Sequence, residues 1–203
     1  MPLCYFSPCA NPRKKLSSVA KIIGMANSII TLGGGCFWCT EAVYVCVRGV
    51  TAVESGYSNG LGPARPSYEQ VCTGQTGFNE VVRLQFDDSI IGLRDILTIF
   101  FEIHDPTSLN RQGNDVGTQY RSGIYVSNDA DHMAVLQFIS EVTSLGEFDS
   151  PIVTEVKPLE HYWPAEDYHQ NYFQNHPHQG YCTFVVAPKV KKLHQHFAQW
   201  LKA

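Results

Sequence analysis

"SIITLGGGCFWCTEAVYVCV", Ser28 to Val47, is the stretch whose reading decides the fold. Ser28–Leu32 is a short β-prone run that ends in glycines. From Thr40 to Val47 the residues suit a short helix beginning close to Cys36. A strand that turns through glycines into a helix is the first half of a strand–helix–strand unit, and Val50–Tyr57, "VTAVESGY", supplies the second strand. The order then repeats. Glu80–Phe86 reads as a strand, Leu93–Ile103 as a helix stopped by Asp105-Pro106, and Ser122–Val126 as a strand. Further on, a helix is expected from Asp129 to about Thr143, a strand at Ile152–Val156, and a helical segment opened by Pro164, "PAEDYHQNYFQNH". Two strand–helix–strand units match the split βαβ, ferredoxin-like plan. The expected class is α+β, a two-layer sandwich with an additional helix and a C-terminal extension.

With 203 residues, 44% hydrophobic and 17% charged, the chain fits one domain with extensions. Residues 1–27 are expected to be a disordered extension, 28–187 the catalytic domain, and 188–203 an amphipathic helix with Val190, Leu193, Phe197 and Trp200 near one face. A net charge of −4 gives no reason to expect nucleic acid or an anionic membrane as partner. No apolar run approaches the roughly 18–20 residues of a membrane helix. Seven irregularly spaced cysteines do not read as a secreted disulfide framework, so a reducing compartment, the cytoplasm, is expected. The leader is basic and lacks acidic residues, which resembles a targeting segment, but no A-x-A cleavage pattern follows it.

The chemistry gathers at Cys36. A thiol between a strand end and a helix start sits where the helix dipole favours negative charge, which would lower its pKa. The preceding glycines let a substrate approach the backbone, and Phe37 and Trp38 could wall an apolar pocket beside the sulfur. A phosphate loop is disfavoured because neither GxGxxG nor GK[ST] is present. Half a zinc site would need a second CxxC, which is missing. A CxxC exchanger through Cys36 and Cys39 stays open, as does a non-catalytic binding module walled by these aromatic residues. His169, His176 and His178 read as hydrogen-bonding residues, with no metal expected, and Cys4, Cys9, Cys46 and Cys72 as structural thiols.

"GGGCFW", with "SGYSNG", "PSYEQV", "TGFNE", "DPTSLNRQGNDVGTQYRS", "AEDYHQNYF" and "GYC" in that order, resembles the peptide methionine sulfoxide reductase A family from about Ile29 to Val186. The resemblance implies a nucleophilic Cys36 and an acid at Glu80. It implies a pocket of Phe37, Trp38, Tyr68, Asp115 and Tyr120, and a resolving thiol at Cys182 that forms a Cys36–Cys182 disulfide. It also implies the S epimer of methionine sulfoxide as substrate, free or in proteins, and thioredoxin as reductant, with no metal or organic cofactor. An acid that donates at neutral pH needs a raised pKa, which a buried aromatic pocket would supply. Two departures stand out. Cys39 replaces the commoner glycine and could compete as resolver, and Phe78 and Asn79 replace the usual histidine and alanine. The tail lacks the glycine-rich segment with a further cysteine that some members carry.

Overall fold

The structure is a computed structural model that describes residues 27–202, so the extension expected at the N-terminus, with Cys4 and Cys9, falls outside the described residues save for Asn27. The elements run β1 (Asn27–Gly34), α1 (Phe37–Val45), β2 (Val50–Ser58), α2 (Tyr68–Cys72), β3 (Asn79–Asp87) and α3 (Leu93–Ile103). The short β4 (Arg111–Gln112) and β5 (Asp115–Val116) precede β6 (Ser122–Val126), α4 (Asp129–Leu145), β7 (Glu155–Pro158), β8 (Trp163–Pro164), α5 (Tyr172–Asn175) and α6 (Ala187–His196). Six strands form one sheet in the order β7-β6-β1-β3-β2-β8, while β4 and β5 pair by themselves. Every neighbour in the large sheet is antiparallel except β6 and β7. The fold is a mixed α/β arrangement of helices around a central sheet.

Side-chain period explains which face each strand buries. In β3, Glu80 shares a face with Val82, Leu84 and Phe86, all of them in the core, so the face that packs on the helices also carries a carboxyl group. In α3, Ile96, Leu97, Ile99, Phe100 and Ile103 are buried, a wide apolar stripe at helical spacing. Asn128 caps α4 by accepting from the Asp131 N–H, and Gly146 ends it in the left-handed conformation. Between β1 and α1 the chain turns at Gly35, whose φ of +90° suits glycine. The helix starts at Phe37, earlier than Thr40, which makes Cys36 its N-cap.

Three expectations need correction. The strand expected at Ile152–Val156 is shifted to Glu155–Pro158, where it pairs parallel with β6 from Gly123↔Glu155 to Val126↔Pro158. Pro164 opens no helix. It pairs with Gly56 in the edge strand β8, where a missing N–H is tolerated, and the segment after it is broken at Asn171, whose φ is +54°. The tail is not helical through residue 203. It stops at His196 because Phe197 leaves helical geometry at φ −129° and ψ 37°. Leu201 then bridges to Val47, and the Lys202 N–H donates to the Cys46 carbonyl, tying the tail to the end of α1.

The first of the three glycines marks a close approach. A Cβ on Gly33 would stand 2.2 Å from Asn79 Nδ2. That amide donates to the Arg121 carbonyl at 3.1 Å and to the Tyr125 hydroxyl at 2.9 Å, so it has little freedom to yield. Gly33→Ala should therefore destabilise the protein by about 1–3 kcal/mol, the cost of overpacking a filled site. Urea denaturation should show that loss, and adding Asn79→Ala should recover part of it. A single Gly33→Ala variant as stable as the parent would contradict the packing described.

Candidate active site

Cys36 closes the β1–α1 turn, and its side chain makes no capping hydrogen bond. The first free amide of the helix, Phe37 N–H, donates instead to Glu80 Oε2 at 3.1 Å. Helix start and acid are thereby joined in one contact. Glu80 stands near the beginning of β3, opposite Tyr57 of β2, and is 1% exposed. Burial pushes its pKa up to about 8, with help from the charges of Asp115 and Cys39 and against the Phe37 hydrogen bond. The carboxyl is protonated at neutral pH.

The dipole argument for Cys36 does not hold here. Burial, a hydrogen bond shared with Cys39 and the charge of Glu80 push its pKa well up. Burial outweighs the dipole, and the first N–H of the helix donates to the Glu80 carboxyl rather than to the sulfur. Its neighbour goes the other way. The hydrogen bond from Cys36 and the charge of Lys189 on α6 lower Cys39 to about 7 despite its burial. Of the two thiols, Cys39 gives up its proton the more readily. Because Glu80 holds its proton at pH 7, its repulsion of a Cys36 thiolate is then absent.

Around this pair the aromatic residues form a cradle. The Phe37 ring lies 5.8 Å from Tyr57 and 5.0 Å from His169, and Trp38 stacks on Tyr172 at 3.7 Å and 6°. Trp38 Nε1 donates to His169 Nδ1 at 3.1 Å, and the ring of His169 is 4.4 Å from that of Tyr68. Burial and the charge of Glu80 raise the pKa values of Tyr68 and Tyr120, so both phenols keep their protons. Asp115 accepts from the Tyr181 hydroxyl at 2.6 Å. Tyr181 also lies within hydrogen-bond reach of Cys36 and Cys39 and meets Trp38 edge-on at 5.8 Å.

The structure thus gathers Cys36, Phe37, Trp38, Glu80, Tyr68, Asp115 and Tyr120 into one site. Cys182 is fully buried in a π-helical turn, Cys182–Val186, that runs into α6. Burial raises its pKa, and the charge of Cys39 adds to the shift. Cys46 donates to the Ala42 carbonyl within its own helix, and Cys72 is an exposed thiol one helical turn from Tyr68.

Sequence reading missed the supporting part that five residues play. His169, Tyr172 and Tyr181 were within reach, because "AEDYHQNYF" and "GYC" carry them beside residues already singled out. Glu41 gave no signal. Its buried carboxylate accepts from the Asn171 and Tyr172 N–H groups at 2.8 and 3.1 Å, which fixes the segment bearing Tyr172 against α1. Glu166 likewise ties Tyr57 to the backbone of Tyr68. Among the described residues no group of three or more His, Cys, Asp and Glu side chains could hold a metal ion.

A buried thiol pair, an acid protonated at neutral pH and an aromatic cradle can together protonate an oxygen while a sulfur nucleophile attacks the atom bearing it. Known proteins resemble this chain over most of its length. A protein of Polynucleobacter asymbioticus described as peptide methionine sulfoxide reductase MsrA is 53% identical over 167 residues, 82% of this chain and 87% of that one. The reduced form of Mxr1 from Saccharomyces cerevisiae superposes with a TM-score of 0.70 at 36% identity, covering 77% of this chain and 89% of that one. Mxr1 in complex with Trx2 superposes at 0.50 and 26% identity, covering 72% and 84%. The family model described as peptide methionine sulfoxide reductase matches residues 28–201, the span that carries every element of the site, and the chain belongs to that family.

Proposed function

We propose that this enzyme reduces the S epimer of methionine sulfoxide, free or in proteins, to methionine. The observation that carries the mechanism is the buried Glu80 carboxyl, protonated at neutral pH and hydrogen-bonded to the amide that follows Cys36. As substrate binds, the Cys36 proton passes to Cys39, and the Cys36 thiolate attacks the sulfoxide sulfur. Glu80 delivers its proton to the oxygen, which a bare thiolate could not displace. Collapse moves the oxygen to Cys36 as a sulfenic acid and releases methionine, so the two electrons gained by the substrate are lost by Cys36. Phe37 and Trp38 receive the methyl group, while Tyr68, Tyr120 and Asp115 orient the oxygen. Cys182 takes up the oxidation, and thioredoxin returns the enzyme to its reduced state. The Mxr1–Trx2 complex supports that choice of reductant.

We also read the central strands, in the order β6-β1-β3-β2 with α1 and α3 between them in sequence, as the split βαβ, ferredoxin-like plan. Residues 28–187 are then the catalytic domain and 188–203 a supporting tail. No helix among the described residues is long and apolar enough to cross a membrane, and the thiol chemistry suits the reducing cytoplasm. The test is an assay with each sulfur epimer, with and without thioredoxin. Multiple turnover is expected for the S epimer with thioredoxin, and roughly stoichiometric release without it. Equal rates on the two epimers, or turnover indifferent to thioredoxin, would contradict the proposal.

A further inference from the structure

Glu80 and Tyr120 belong to different segments of the chain, and one side chain behind the site ties those segments together. Arg121 stands between the 3₁₀ turn Thr118–Tyr120 and β6. Its Nη1 donates to the Gly77 carbonyl at 3.1 Å and to the Thr118 carbonyl at 3.0 Å, and its Nη2 to the Asn59 carbonyl at 3.2 Å. Asn59 is two residues past Tyr57, the strand partner of Glu80, while Gly77 is three before Glu80 and Thr118 two before Tyr120. Asn59 and Gly77 lie beyond the last β2–β3 pair, Ser58↔Asn79, so strand pairing does not set where they stand. The Arg121 backbone adds a fourth tie, its carbonyl accepting from Asn79 Nδ2, next to Glu80, at 3.1 Å. The guanidinium itself is anchored on β7. Its Nε donates to Glu155 Oε1 at 2.7 Å, the two side chains being 15% and 21% exposed. Against its burial, bonds from Lys157, Tyr125 and Arg121 hold the Glu155 pKa down to about 2, so the anchor stays charged. An arginine kept only for an ion pair would need Glu155 alone. A planar fork shared among three separate carbonyls is something a lysine could not reproduce.

We infer that Arg121 is a positioning residue, whose guanidinium, anchored on Glu155, sets the Glu80 carboxyl and the Tyr120 phenol at the spacing that the sulfoxide oxygen requires. This role depends on the sulfoxide chemistry proposed above, in which Glu80 delivers a proton and Tyr120 orients the oxygen that receives it. Arg121 acts through others, since its side chain spends its donors on backbone carbonyls and on Glu155. An error in the spacing of acid and phenol falls on the transition state more than on substrate binding. Misplacement on the order of 1 Å can cost ~10²-fold in rate. Position also guards the proton. Burial is what raises the Glu80 pKa to about 8, so loosening the segment that carries it admits water and lets that pKa fall.

Arg121→Lys keeps a positive charge beside Glu155 but loses the fork. The experiment measures single-turnover release of methionine from methionine-S-sulfoxide, with substrate concentration and pH varied, at a temperature where a thermal melt shows the variant folded. The maximal rate should fall by ~10–10²-fold while the half-saturating concentration stays nearly unchanged. The alkaline limb of the rate, near pH 8 in the parent, should move to lower pH. A purely structural arginine would lower the melting temperature and leave both rate and limb where they were, and that result would overturn the role. A raised half-saturating concentration at an unchanged maximal rate would overturn it too. Should Arg121→Lys not fold, Glu155→Asp carries the test, because it keeps the ion pair but draws the guanidinium one methylene towards β7. The same loss of rate and the same shift of the limb are expected, and parent behaviour in a folded Glu155→Asp would again count against the role. A parent enzyme that released no methionine would sink the sulfoxide chemistry instead, so the two failures are distinct.

Discussion

Cys36→Ser is expected to abolish sulfoxide reduction and leave the fold intact. A serine hydroxyl in the same place is a far weaker nucleophile, and no neighbouring base in the site is strong enough to ionise it. The other thiols cannot substitute. Cys39 is 1% exposed and Cys182 fully buried, so neither presents its sulfur to a substrate lying on Phe37 and Trp38. Little structural cost is expected, because the Cys36 side chain makes no capping hydrogen bond and the change is nearly isosteric. Methionine release should fall below detection, while the thermal midpoint stays within a few degrees of the parent. Turnover near the parent rate would remove Cys36 from the chemistry.

Glu80→Gln keeps the shape and the acceptor for Phe37 N–H but removes the titratable proton. The expected loss in the chemical step is ~10²–10⁴-fold, the usual worth of general acid catalysis. The pH profile separates this from a packing effect. With the Glu80 pKa raised to about 8, the parent's single-turnover rate should fall as pH rises through that value, and the variant should lose that limb. Stability should change as well. The folded pKa of about 8 lies above the ordinary 4.5, so between those values the native state binds more protons than the unfolded one. Parent stability therefore falls with rising pH across that window, and the burial penalty is absent below about pH 4.5. The glutamine variant should lose that slope and be the more stable protein near pH 8. Unchanged single-turnover kinetics from pH 6 to 9 would show that Glu80 is not the donor.

The sheet was legible because β1, β3 and β6 are short apolar runs set between glycine or polar stretches, and the α3 stripe fixed its own boundaries. Less legible was what long-range pairing decides. β7 is set by parallel register with β6, and β8 exists because Trp163 and Pro164 find the edge of β2, which no local periodicity announces. At the site, the nucleophile, acid and cradle stood in short motifs. The thiol pKa order did not, because it depends on how deeply the fold buries each sulfur, on the hydrogen bond between them and on a lysine far along the chain at position 189. Glu41 was silent for a similar reason, since its partners lie about 130 residues away.

The central claim is that oxygen passes from the substrate sulfur to Cys36. The most direct test uses the Cys39→Ser/Cys182→Ser double variant, in which a sulfenic acid has neither of its proposed thiol partners. The enzyme is mixed with one equivalent of methionine-S-sulfoxide and a dione trap, and intact mass and peptide mapping follow. The account predicts about one methionine per enzyme, with the trap on Cys36. Methionine released at that stoichiometry with Cys36 unmodified would contradict it.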